Sequence, residues 1–154
     1  VSLIIKKCSV ALVEEQSNFS DMLKEYEEES VIEGAPPIQA KMEMYHELEK
    51  SGNFQVFGAF VYDQLVGFVT VLVAVLPKRG VLMGIIESYF VISAFRGGTN
   101  AGKKLLDEAK KYAKERGASC VLVTAITGSD LEKVMPHWGG KEVNKVFLVS
   151  LKDV

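Results

Sequence analysis

The stretch FRGGTNAGKKLL, residues 95–106, gathers residue types that can hold phosphate. Gly97, Gly98 and Gly102 lack a Cβ, so an oxygen can come close to their backbone N–H groups. If a helix starts near residue 100, its unpaired amides and the positive end of its dipole favour an anion at the same point. Arg96 adds a permanent charge in a planar fork suited to phosphate, and Thr99 or Asn100 suits a helix cap. A tight strand-to-helix turn with an exposed Arg is the plain alternative. Gly97, Gly102 and Lys103 also satisfy most of G-x-x-x-x-G-K-[ST], the loop of nucleoside triphosphatases. Lys104, however, stands where that motif needs a hydroxyl for Mg²⁺. The following apolar segment, CVLVTAIT, contains no Asp to hold the metal.

Glu87 is the second residue of chemical interest. It lies in VLMGIIESYFVI, the apolar stretch just before the loop. Partial burial in such a strand lifts a carboxylate's pKa toward neutrality, where it works as a general base. A Glu on a solvated face, or paired with Arg or Lys, is the alternative. Other reactive groups are sparse. His46 and His137 have no zinc-binding spacing, and Cys8 and Cys120 are too few for a disulfide framework. That cysteine usage points to a reducing cytosol. Cys120 alternates with apolar neighbours and reads as core, and Trp138 reads as a packing anchor.

These residues need a scaffold, and the hydrophobic pattern supplies one. LIIKK is a short strand. Leu12, Gln16, Phe19, Leu23 and Tyr26 recur at helical spacing and predict one amphipathic helix. A break at EGAPP precedes a second helix over residues 38–50, with Met42, Tyr45 and Leu48 inward and Gly52 as its stop. FQVFGAFVYDQLVGFVTVLVAVL reads as two strands joined near Asp63 and Gln64, with a third over residues 81–92. Residues 99–116 form the clearest helix, its inward face being Ala101, Leu105, Leu106, Ala109, Tyr112 and Ala113. ASCVLVTAI predicts a strand, residues 130–137 a short helix, and EVNKVFLVSL a last strand. The order β-α-α-β-β-β-α-β-α-β implies an α/β (α+β) fold: a mixed, mostly antiparallel sheet with helices on both faces.

The chain has 154 residues, enough for one domain with a real core, and is read as one domain over residues 1–154. Its 18 basic and 20 acidic residues give a net charge of −2, which argues against general binding to nucleic acid. The longest apolar run, LVGFVTVLVAVL, falls short of the roughly 18 residues of a spanning helix. VSLIIKK lacks the layout of a signal peptide. A cytoplasmic protein with no membrane partner is the expectation.

The segment IIESYFVISAFRGGTNAGKKLLDEAKKYAKERGASCVLV resembles the cofactor-binding core of the GNAT superfamily of N-acetyltransferases. That core reads approximately E-x-x-x-V-x-P-x-x-R-G-x-G-x-G-x-x-L-L, followed by an amphipathic helix and a strand. Glu87, Val91, Arg96, Gly97, Gly102, Leu105 and Leu106 fall on it, and the element order is similar along essentially the whole chain. The resemblance implies transfer of an acetyl group from acetyl-CoA to an amine by direct attack, with no metal. It implies that residues 96–102 (Arg96, Gly97, Gly98, Thr99, Asn100, Ala101 and Gly102) hold the pyrophosphate. A backbone N–H near Val91 would polarise the thioester, and Glu87 would act as base, often through water.

The chain departs from the family pattern at several points. Ser93 replaces a Pro, and one extra residue separates Arg96 from Gly102. Met135 stands where many relatives place an acid Tyr, with Tyr89 or His137 as possible substitutes. A non-catalytic module of the same fold that binds acyl-CoA or a partner is therefore a second reading. The acceptor would be a small-molecule or peptide amine. The acidic segment of Glu25, Glu27, Glu28, Glu29 and Glu33 suggests a cationic one. A monomer or a homodimer fits equally.

Overall fold

The computed structural model describes residues 2–154. Five strands form one sheet in the order β1-β2-β3-β4-β5: β1 (Leu3–Cys8), β2 (Phe54–Val61), β3 (Gln64–Val75), β4 (Leu82–Val91) and β5 (Val121–Val123). Neighbours are antiparallel except β4 and β5, which run parallel. The β2–β3 turn falls at Tyr62 and Asp63, both with positive φ (48° and 64°), the backbone twist a two-residue hairpin needs.

Helices cover both faces. α4 (Ala101–Glu115) lies on one of them, and all six residues expected to face inward are buried. Its small residues Ala101, Ala109 and Ala113 let it sit close to Val69, Val71 and Ile86 of the sheet. Ala109 is 0% exposed. Replacing it with Leu should push the helix off the sheet and cost about 1–3 kcal/mol. The check is a lower denaturant midpoint at unchanged slope.

The opposite face carries α1 (Val10–Glu14), α2 (Phe19–Glu29) and α3 (Met42–Lys50) over a core of Met22, Phe54, Phe68 and Phe90. The single first helix predicted from the sequence is two. The chain breaks between them, where Asn18 Nδ2 donates to the Leu65 carbonyl at 2.8 Å. A long-range bond there replaces a turn of helix. The break also shifts the buried stripe to Val10, Val13 and Met22, leaving Leu12 exposed.

The C-terminal third departs most from expectation. β5 is only three residues long, and it is followed by α5 (Asp130–Val134) and a 3₁₀ turn at Met135–Trp138. The predicted last strand, residues 142–151, pairs with nothing among the described residues. It leaves Val146, Phe147, Val149 and Leu151 exposed. Strand-forming sequence without a neighbouring edge stays unpaired. Cys120, expected in the core, is exposed, although its carbonyl accepts from the Gly84 N–H of β4 at 2.8 Å, whereas Cys8 is buried. Among the described residues no helix is long and apolar enough to cross a membrane.

Candidate active site

β4 carries the site because it is irregular. Thr70 pairs with Ser88 and Val71 with Ile86, so Glu87 is an extra residue in the ladder, a β-bulge. The bulge resets which way the strand points. Ile86, Tyr89 and Val91 face α4, while Glu87, Ser88 and Phe90 face α1–α3. At the same point β4 loses its other neighbour, since the parallel ladder with β5 ends at Ile86 and Val123. Beyond Glu87 the outer edge of β4 pairs with no strand among the described residues as far as the loop at residue 96.

Hydrogen bonds, not burial, fix Glu87. Its carboxylate is exposed, where partial burial was expected. Tyr45 Oη of α3 donates to Oε1 at 2.8 Å, and Thr70 Oγ1 of β3 donates to Oε2 at 3.0 Å. Thr70 has one proton, which it gives to Glu87. It therefore accepts from the Ser88 N–H at 2.9 Å and from the Ser88 hydroxyl at 2.9 Å. Burial first, and the bond to Glu87 second, raise the Tyr45 pKa well above the usual phenol range. Tyr45 thus stays a donor at any pH where an enzyme works. The Tyr26 hydroxyl accepts from the Tyr89 N–H on the free edge at 3.3 Å.

The loop at residues 96–102 presents open backbone donors, and its Arg96 and Thr99 side chains are engaged with the protein. The N–H groups of Gly97, Thr99, Gly102 and Lys103 donate to no protein group among the described residues. A Cβ built on Gly97 or Gly98 meets nothing within 4 Å, so the backbone there is open to a ligand. These four donors at a helix N-terminus fit an anion. Gly102 lies inside α4, and its missing Cβ serves packing: a Cβ there would be 3.0 Å from Trp138. Its amide still points out of the first turn. Asn100 takes the left-handed conformation (φ 58°) without capping. Thr99 Oγ1 instead accepts from the Ala101 N–H at 3.2 Å and donates to the Phe95 carbonyl at 2.5 Å.

Arg96, expected to fork onto phosphate, is engaged elsewhere. Its Nη2 lies 2.5 Å from Glu29 Oε1 and its Nη1 3.2 Å from Asp130 Oδ2, while Nε donates to the Val91 carbonyl at 2.8 Å. It joins the ends of α2, β4 and α5, and so holds the loop in place. Two acids of the expected cation-attracting segment serve the same purpose, since Glu25 Oε2 also accepts from the Ser93 N–H at 3.1 Å. Val91 itself is buried. Of the substitute acids, His137 is exposed, and the Tyr89 hydroxyl donates to the Gly102 carbonyl. Burial, with the Asp107 charge second, raises the Tyr89 pKa above the phenol range.

On the α1–α3 side of Glu87 is a cavity of about 350 Å³. A carboxylate at a bulge, a cavity on its α1–α3 side and a set of open backbone donors at the next helix thus follow one another along β4 and the loop after it. The model of the acetyltransferase (GNAT) family matches residues 18–134, most of the chain, including β4 with Glu87 and the loop at residues 96–102. The chain belongs to the GNAT family. It is an acetyltransferase, and the acetyl donor of the family is acetyl-CoA.

Solved GNAT structures share the fold over nearly the whole chain. A ribosomal-protein-alanine N-acetyltransferase from Brucella melitensis biovar Abortus 2308 superposes with a TM-score of 0.74 at 19% identity, covering 99% of this chain and 100% of that one. Glucosamine-6-phosphate N-acetyltransferase from Arabidopsis thaliana gives 0.74 at 15% identity, again over 99% and 100%. An aminoglycoside acetyltransferase from an uncultured soil metagenomic sample gives 0.71 at 20% identity over 97% of each chain. Compared by sequence with curated proteins, the chain has no match.

The residues that sequence reasoning missed are Thr70, Ser88, Tyr45 in its bond to Glu87, and Tyr26. Thr70 and Tyr45 lie 17 and 42 residues from Glu87. The one local signal was a Thr in an otherwise apolar strand.

Proposed function

We propose that this GNAT enzyme transfers acetyl from acetyl-CoA to a primary amine by direct attack, with Glu87 as the general base. The observation that carries this reading is the position of Glu87: at the bulge where β4 leaves β5, held by two hydroxyl donors, between the open cradle and the cavity. When bound, acetyl-CoA supplies an acetyl group activated as a thioester. The amides of Gly97, Thr99, Gly102 and Lys103 would hold its pyrophosphate, with the α4 dipole adding to them. Arg96 is a positioning residue for that loop.

Glu87 takes the proton that an ammonium must lose before it attacks. Tyr45 and Thr70 keep its two oxygens aimed and stop it from rotating onto other partners. The chain need not supply an acid to the departing sulfur, because a thiol ionises near pH 8.5. Met135 in place of a Tyr is compatible with that chemistry.

The test is release of free CoA thiol that depends on both acetyl-CoA and an added amine. Binding without turnover across a broad amine panel would favour a non-catalytic module instead. Tyr45→Phe removes one charge-assisted bond and should lower kcat about tenfold with little change in acetyl-CoA affinity. Steady-state kinetics with each substrate varied in turn would check it.

A further inference from the structure

The cavity behind Glu87 has walls of one kind and a floor of another. Its sides come from Val10, Val13, Phe19, Leu23, Met42 and Leu48 of the three helices. On the sheet side it has Glu87, Thr70 and Ser88, with the Tyr45 hydroxyl bonded to Glu87, and Gln39 and Lys41 line it from the segment before α3. Among the described residues, Glu87 is the only carboxylate that lines it, and Lys41 the only cation. None of Glu25, Glu27, Glu28, Glu29 or Glu33 reaches it.

That arrangement offers a carboxylate to one ammonium. A second ammonium would find no second carboxylate, and a ring of hydroxyls would lie mostly against apolar side chains, at the cost of burying poorly paired polar groups. An alkyl or aryl body would instead gain from leaving water, by roughly a fourfold affinity increase per buried methylene. The volume falls in the range of pockets that enclose a small organic molecule. We infer that the acceptor is a monoamine with an apolar body, an alkylamine or arylalkylamine, whose amine sits at Glu87 and whose body fills the space between α1–α3 and the sheet. This deepens the proposed transfer reaction and rests on it for the identity of the site.

The test measures binding and turnover separately. Butylamine, hexylamine, octylamine and 2-phenylethylamine are compared with putrescine, spermidine and an aminoglycoside, by calorimetry on the whole protein and by acetyl transfer. The Kd should fall about fourfold per added methylene until the cavity is full. Putrescine should bind at least tenfold more weakly than butylamine. Met44 lines the cavity but is 63% exposed, so Met44→Glu should fold normally. That variant should weaken octylamine and narrow the gap to putrescine. If putrescine, spermidine or the aminoglycoside binds and reacts better than the monoamines in the parent protein, the inference is overturned while acetyl transfer stands. It is overturned equally if Met44→Glu leaves the whole series unchanged. If the monoamines bind in the predicted order but none is acetylated, the cavity assignment holds and the proposed reaction fails.

Discussion

Glu87→Gln should lower kcat by about 10²–10³ and leave the Kd for acetyl-CoA within a few-fold. The range is that of a lost general base. The amide is isosteric: its oxygen can still accept from one of the two hydroxyls, Tyr45 or Thr70, while its NH2 faces the other, which must turn its own proton away. The residual rate should climb with pH more steeply than that of the parent, because the free amine forms unaided as the medium becomes more basic. Kinetics from pH 6 to 10 with a saturating acetyl donor would show this. Equal turnover at neutral pH would place the base elsewhere, and a parallel loss of acetyl-CoA affinity would mean that Glu87 shapes the cleft instead of moving a proton.

What the sequence allowed follows from how local each feature is. The buried face of α4 was legible residue by residue, because helical spacing and small-residue placement are written within one segment. The β2–β3–β4 meander was legible because its runs are long, β-branched and separated by turn residues. Glu87 and the glycine loop stood out by residue type. The features that escaped are contacts between distant segments. Nothing near Asn18 announces its bond to Leu65, which divides the first helix. Nothing near Arg96 shows that Glu29 and Asp130 will claim its guanidinium. Residues 142–151 carry a strand pattern, but a pattern cannot create the neighbouring edge that a strand needs.

The second large effect concerns the cradle. Gly98→Leu should raise the Kd for acetyl-CoA by about 10- to 100-fold, the value of one charge-assisted phosphate contact. The structure separates this loss from misfolding. Gly98 has no positive φ and no atom within 4 Å of a new Cβ, so the variant should melt within a degree or two of the parent. Arg96→Glu should behave differently. It places a third carboxylate beside Glu29 and Asp130, so stability and acetyl-CoA affinity should fall together. Calorimetry paired with thermal melts distinguishes the two. Unchanged affinity in Gly98→Leu would mean that the loop is only a turn.

Metal-free binding of acetyl-CoA at the cradle is tested most directly by calorimetric titration of acetyl-CoA into the protein in excess EDTA, repeated with ATP and Mg²⁺. One saturable site for acetyl-CoA is expected without metal, weakened in Gly98→Leu and retained in Glu87→Gln. No acetyl-CoA binding, or binding that requires Mg²⁺ and favours ATP, would contradict it.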